Sequence, residues 1–510
     1  MANSTTRRQF LQTAAVGGAL LSLADFELLR GLPRVGADEA RPNPRTVAFR
    51  PEIEPLVRLL EETPRSELLE RVAARIRAGA TYTDVLAALL LAGIRNVQPR
   101  PAVGFKFHAV LVVNSAHLAS MASPDEHRWL PIFWALDYFK VAQEEDRREG
   151  DWTMPAVDES RLPAADKARA AFVDAMDRWD EEAADAAAAA LARTGGANEL
   201  FDLFCRYGCR DFRSIGHKAI YVANGWRTLQ CIGWQHAEPV LRSLAYALLN
   251  HQGEPNPAQS DLDADRPGRR NAELARKFRP DWTTGRIDRA ATLDMLGVLR
   301  SGSADDACDK VLELISSGVH PQSIWDALFL GGGELLFRQR GIVALHALTS
   351  TNALHYAYQA CGDDATRRLL LLQNAAFLPL FREGMRRRGQ VQDFAIEQLE
   401  PVAAPANPSD AVADIFRDVS RNRLEAARKV VAAVSQGVSA QQLINAGRLL
   451  VFFKGDNSHD YKFSSAVLED YYHVSPDWRD RFLAAGVFNL RGSEDRDNAL
   501  IRRARAALQG

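Results

Sequence analysis

The chain has 510 residues, with 63 basic and 65 acidic side chains and a net charge of −2 at pH 7. A charged fraction of 25% and an apolar fraction of 47% exclude global disorder, and the near-neutral balance excludes an electrostatic footprint for nucleic acid or an acidic membrane. Five cysteines are too few, and odd in number, for a disulfide framework, so packing must carry the stability.

The chain opens with Ser4-Thr5-Thr6-Arg7-Arg8-Gln9-Phe10-Leu11, an apolar small-residue run from Thr13 to Ala24, and Val35-Gly36-Ala37 before Asp38. This resembles a twin-arginine signal peptide over residues 1–37. The resemblance implies the twin-arginine export machinery as a partner and a periplasmic or otherwise extracytoplasmic location. That route carries folded proteins, often already loaded with a cofactor. The run is about a dozen residues, short of the roughly 20 a membrane-spanning helix needs, and no later segment of the mature chain is long and apolar enough.

Beyond residue 38 nearly every periodic stretch reads as helix. From Ser66, apolar residues at 68, 69, 72 and 76 follow the i, i+3/i+4, i+7 spacing of one helix face. The Ala-rich stretch Glu181 to Arg193 has high helix propensity, and period-two alternation is scarce. The expected fold is all-α.

The pattern also repeats. A helix ends at a glycine, and a second helix begins with an apolar residue six positions on: Gly79/Val85, Gly195/Phe201, Gly318/Ile324 and Gly437/Leu443. A histidine-led segment follows each pair. These are His108-Ala-Val-Leu-Val-Val-Asn114-Ser-Ala-His117, His217-Lys-Ala-Ile-Tyr-Val-Ala-Asn224, His346-Ala-Leu-Thr-Ser-Thr-Asn352-Ala-Leu-His355 and His459-Asp-Tyr-Lys-Phe-Ser-Ser465. In the second copy the histidine sits one residue further from its Asn, and the fourth has Ser for Asn. A further helix follows each segment, opened by Ser123-Pro124-Asp125-Glu126 as a capping box and by Ser475-Pro476-Asp477 in the fourth copy. The expectation is four pseudo-repeats of about four helices each, packed as a helical barrel or toroid around a central histidine-lined pocket. Proline-rich connectors separate the units. The longest, 252–290, divides a first helical half at 38–251 from a second at 291–510.

If the units pack around a pseudo-symmetric axis, His108, His217, His346 and His459 converge. Convergent imidazoles in a helical interior suit a transition metal (Fe, Cu or Zn) or an acid/base cluster. The same four residues are therefore candidate catalytic groups and candidate metal ligands, with Asn114, Asn224, Asn352 and Ser465 orienting them or the substrate. A competing inward set is Asn114/His117 and Asn352/His355, i, i+3 pairs on one helix face. The leading set is preferred because it alone recurs in all four units. A structural role, with each imidazole tied to a preceding loop carbonyl, is the alternative. No His-Glu-x-x-His or Glu-x-x-His signature supports a metal. His459, Asp460 and Lys462 form a weaker acid/base group at a helix start. Cys205 and Cys209 share a helix face, but their spacing matches neither a zinc nor a haem motif, and core packing is expected for all five cysteines. Gly331-Gly332-Gly333 inside a helical pattern marks a close backbone approach or a kink. No dinucleotide fold, nucleophile elbow or Walker loop occurs.

The segments His346-Ala-Leu-Thr-Ser-Thr-Asn-Ala-Leu and His459-Asp-Tyr-Lys-Phe-Ser-Ser-Ala-Val-Leu-Glu-Asp-Tyr resemble elements of the questin oxidase-like family of α-helical proteins. In the second, Ser465 stands where that family would carry an acid. The resemblance implies an oxidoreductase that opens or oxygenates a bulky aromatic or quinone-like ring, with a small hydrophobic molecule as its partner. Phe105, Tyr221, Trp226, Tyr356 and Tyr461 are candidates for the pocket wall. A non-enzymatic periplasmic binding or scaffold protein and a metal-dependent hydrolase are the alternatives. The hydrolase would need a carboxylate base, for which Asp137, Glu238 and Asp460 are available.

Overall fold

The amphipathic stretches fold as their spacing dictates. In the computed structural model, which describes residues 46–99, 107–249 and 254–509, there are 22 α-helices and no β-strand among the described residues. The signal-like segment 1–37, Phe105 and His251 lie outside them. The stretch from Ser66 becomes the helix Leu68–Arg77, which buries Leu68, Leu69 and Val72. Gly79, Gly318 and Gly437 each take a left-handed φ (107°, 81° and 92°) just past a helix end, where a Cβ would be strained. The second copy differs. Gly195 caps its helix in an extended conformation, with φ −91°.

The Ser-Pro segments open short 3-10 turns, Asp125–His127 and Pro476–Trp478, and not the α-helices directly. The Ser123 hydroxyl donates back to the Ala119 carbonyl, and the Glu126 side chain of the expected capping box lies outside the described residues. The α-helices begin a little later, at Leu130 and Arg479.

Four helices form the centre: His108–Met121, His217–Ile232, Ile342–Ala360 and Ser458–Asp470. They are buried on nearly all sides, as helices without a sustained polar face must be. The first and third each pack against both the second and the fourth, which closes a ring. Close approach tightens the shell around them. A Cβ on Gly332 would lie 3.2 Å from Leu348, and one on Gly333 only 2.9 Å from the Ala485 Cβ.

The residues from Val47 onward belong to one compact unit, so the halves on either side of the 252–290 connector are not separate bodies. Part of that connector is itself helical (Arg266–Leu274) and is pinned to the chain just before His217. Arg213, buried with Asp265, makes a bidentate pair with it at 2.6 and 2.9 Å and also reaches the Pro255 carbonyl. Among the described residues no helix is long and apolar enough to cross a membrane.

Candidate functional site

The four central helices bring their leading histidines to one point. His108 and His217 are the first residues of their helices, His459 is the second, and His346 lies one turn into its helix. All four are buried. Neighbouring ring centroids are 4.9 Å apart (His108–His217), 4.5 Å (His217–His346), 5.2 Å (His346–His459) and 4.8 Å (His459–His108), which closes a ring of four imidazoles. Single ring nitrogens of His108, His346 and His459 lie mutually within 4.8 Å. His217 joins through its Nε2, 3.0 Å from the Nε2 of both His108 and His346.

The tautomers of two rings follow from their outer contacts. His217 Nδ1 lies 2.6 Å from the Ser214 carbonyl, and His346 Nδ1 lies 2.7 Å from the Ile342 carbonyl. A carbonyl oxygen only accepts, so both Nδ1 atoms carry the proton and donate it. Burial, reinforced by the charge of Lys462, pushes both rings well below the usual histidine pKa and keeps them neutral. His459 is pushed down to about 3, chiefly by burial. Each Nε2 of His217 and His346 is therefore a bare lone pair, and the two face each other at 3.0 Å. Two unprotonated acceptors at that distance repel unless a cation or a shared N–H donor lies within reach of both. The expected tie to a preceding carbonyl does exist for these two rings. It engages Nδ1 and leaves Nε2 free for the centre, the arrangement that orients a metal-ligating imidazole.

The turn that presents His217 is strained. Ser214 (φ 62°), Ile215 (φ 47°) and Gly216 (φ 82°) are successively left-handed. For a β-branched residue such as Ile215 this is a true outlier, with a cost on the order of 1–3 kcal/mol. Here it aims the Ser214 carbonyl at His217 Nδ1.

Lys462 was singled out in the sequence only as part of a helix-start acid/base group. It lies one turn beyond His459, fully buried, with Nζ 3.4 Å from the Nε2 of both His217 and His346. Burial pushes its amine down to about 7. The usable signal was its i+3 spacing from His459, which places both on one helix face.

Below the histidines lies the polar layer expected from the Asn positions. Asn114, Asn224, Asn352 and Ser465 line one cavity, together with Lys462 and Arg227. It measures about 10 Å³, room for roughly one water molecule. Asn114 donates to the Asn224 side-chain oxygen (3.3 Å), Asn224 to the Leu111 carbonyl (3.1 Å), and Asn352 to Glu469 (2.9 Å) and Asp470 (2.7 Å). A quinone-sized molecule does not fit this cavity.

The remaining candidates lie elsewhere. His117 hydrogen-bonds the Tyr82 hydroxyl at 3.0 Å, and His355 packs edge-on against Trp325 and Phe329, so the Asn-x-x-His pairs send their Asn inward and their His outward. Asp137, Glu238 and Asp460 are engaged by Arg65, Arg193 and Arg491 respectively. Tyr221 donates to Ser243, Tyr356 to Gln230, Trp226 packs on Phe201, and Tyr461 stacks on Trp134. None of these four lines the cavity. Cys205, Cys209, Cys308 and Cys361 are buried, and Cys231 is half-buried.

No protein-family model matches the chain, and no curated protein or solved structure matches it either.

Proposed function

We propose that the protein is an exported, metal-dependent oxidoreductase whose metal is held by His108, His217, His346 and His459. The observation that carries this reading is the pair of bare Nε2 lone pairs of His217 and His346, 3.0 Å apart and unable to donate to one another. Adjacent ligands of a square or octahedral shell with metal–nitrogen bonds of about 2.1 Å are separated by about 3.0 Å. Neutral imidazoles suit Fe, Cu or Zn. The cluster that can hold an ion is all-histidine among the described residues, and the three carboxylates named for a hydrolytic base are paired with arginines. Both facts favour oxidoreductase over hydrolase chemistry. The resemblance of the His346 and His459 segments to questin oxidase-like proteins agrees with that class, and the twin-arginine-like opening agrees with export of a folded, loaded protein. We read the four histidine-led helices as equivalent elements of four pseudo-repeats, each contributing one imidazole and one polar residue to the axis.

A second reading rests on Lys462. Its Nζ is within 3.4 Å of both bare nitrogens, so an ammonium donating to each would satisfy them without a metal. The protein would then hold a cofactor-free acid/base cluster, or act as a binding protein. Elemental analysis and an optical spectrum of the protein exported through its own leader separate the two, with His108→Ala/His346→Ala as the partner sample. Near-stoichiometric Fe, Cu or Zn in the wild type, lost in the folded double variant, is the expected result. Metal-free protein with an unchanged fold would leave the lysine cluster.

A further inference from the structure

The cavity beneath the histidines states what this site admits. Its lining contains the basic side chains of Lys462 and Arg227 together with amide and hydroxyl side chains. No carboxylate lines it. Lys462 lines the cavity and also reaches the Nε2 of His217 and of His346 at 3.4 Å, so one amine links the cavity to the imidazole cluster. That amine donates N–H in either protonation state. The Asn114 amide adds a second donor on the wall, since its contact to Asn224 engages one of its two N–H groups. Arg227 is held by its ion pair with Glu469. At about 10 Å³ the space accepts a ligand the size of water and, with small side-chain shifts, one of two or three atoms.

We infer that the exogenous ligand of the histidine centre is a small anion or hydrogen-bond acceptor of at most three atoms, of the hydroxide, peroxide, cyanide or azide class, seated between the imidazoles and the Asn layer. The inference rests on the metal reading above and sharpens it. Size excludes an aromatic ring from this position, and the N–H donors of Lys462 and Asn114, with no carboxylate among the lining residues, select an anion or other hydrogen-bond acceptor over a cationic ligand. Donors pre-aimed at an anion in a water-excluded site act far more strongly than they would in water.

The test uses the full chain loaded with Cu(II) or Co(II), whichever binds near stoichiometrically. Azide is titrated while the visible and near-ultraviolet spectrum is recorded, with imidazole as the bulky comparison. A saturable new band with azide and an unchanged spectrum with imidazole are expected. Ala466→Leu, which adds bulk to the cavity wall without removing a polar group, should keep its metal and weaken azide binding at least tenfold. Ser465→Val serves as the second variant should the first fold poorly, and retained metal content is the folding control for each. Stoichiometric metal with no response to azide, or with imidazole binding as tightly, would overturn the ligand inference alone. Failure of wild-type protein to hold any metal would overturn the metal reading and this inference with it.

Discussion

Gly216→Ala is the sharpest single perturbation of the centre, because the geometry lets its cost be divided into two parts. Gly216 sits at φ 82°, and a Cβ placed there would lie 1.9 Å from Ser350 Oγ and 2.9 Å from Ser350 Cβ. A left-handed conformation costs an L-residue roughly 1–2 kcal/mol. Overpacking a tight interior adds roughly 1–3 kcal/mol, so the variant should lose about 2–5 kcal/mol. Ser350 is fully buried and its hydroxyl has no hydrogen-bond partner, so Ser350→Ala alone should change stability by less than about 1 kcal/mol. In that background the worst clash is gone, and Gly216→Ala should cost mainly the backbone part. Urea denaturation of the four proteins in a double-mutant cycle should therefore give a coupling of about 1–3 kcal/mol. The same substitution moves the Ser214 carbonyl that orients His217, so metal affinity should fall about 10- to 100-fold. A Gly216→Ala protein with wild-type stability and wild-type metal affinity would refute the argument that this strained turn aims the imidazole.

Three other expectations follow from buried groups. His355 is almost wholly buried and held neutral by burial, its pKa lowered from 6.5 to about 3, with His473 the neighbouring titratable ring. A base with a depressed folded pKa loses stability as pH falls, because the unfolded chain takes up its proton first, over the window from 6.5 down to about 3. His355→Phe, among Trp325 and Phe329, should therefore lose about 3 kcal/mol less than wild type between pH 7 and pH 4, and equal losses in urea melts at both pH values would contradict this. Arg242 is fully buried and makes a bidentate pair with Asp185 at 2.8 and 2.9 Å. Asp185→Ala should cost about 3–5 kcal/mol and Asp185→Ala/Arg242→Met clearly less, read as thermal midpoints. Of the five cysteines, only half-buried Cys231 should react with a thiol reagent in native buffer, with all five reacting in denaturant. Rapid native labelling of Cys205 or Cys209 would show that the surrounding core opens.

Much of the site was legible in the chain because a histidine-led segment occurs in it four times. His108, His217, His346 and His459 recur at equivalent places, and the structure brings these four together, while the i, i+3 partners His117 and His355 turn outward. Asn114, Asn224, Asn352 and Ser465 were legible for the same reason, and they line one cavity. The centrality of Lys462 was not, because only one of the four leading histidines has a lysine three residues on, and a lone lysine near a helix start usually faces water. The aromatic wall was misjudged for a related reason. Tyr221, Trp226, Tyr356 and Tyr461 occur near the motifs in sequence, but a helix places near neighbours on different faces, and these rings complete the core. The size of the cavity could not be read from composition at all, since it depends on how closely the four helices approach. The turn before His217 was hidden because nothing in Ser214-Ile215 favours a left-handed backbone; tertiary contacts, including the Arg213–Asp265 pair, impose it.

The ring of central helices also has a consequence for how the molecule assembles. Its four members come from four well-separated stretches of the chain, and the last, Ser458–Asp470, packs against the first, His108–Met121, across most of the described chain. Contacts so distant in sequence are costly to close and form late. The centre therefore comes into being in one closing event between distant parts of the molecule. Fragments lacking the last helices should have an open ring, and any ion must be acquired after that closure, which makes the finished fold the checkpoint for loading.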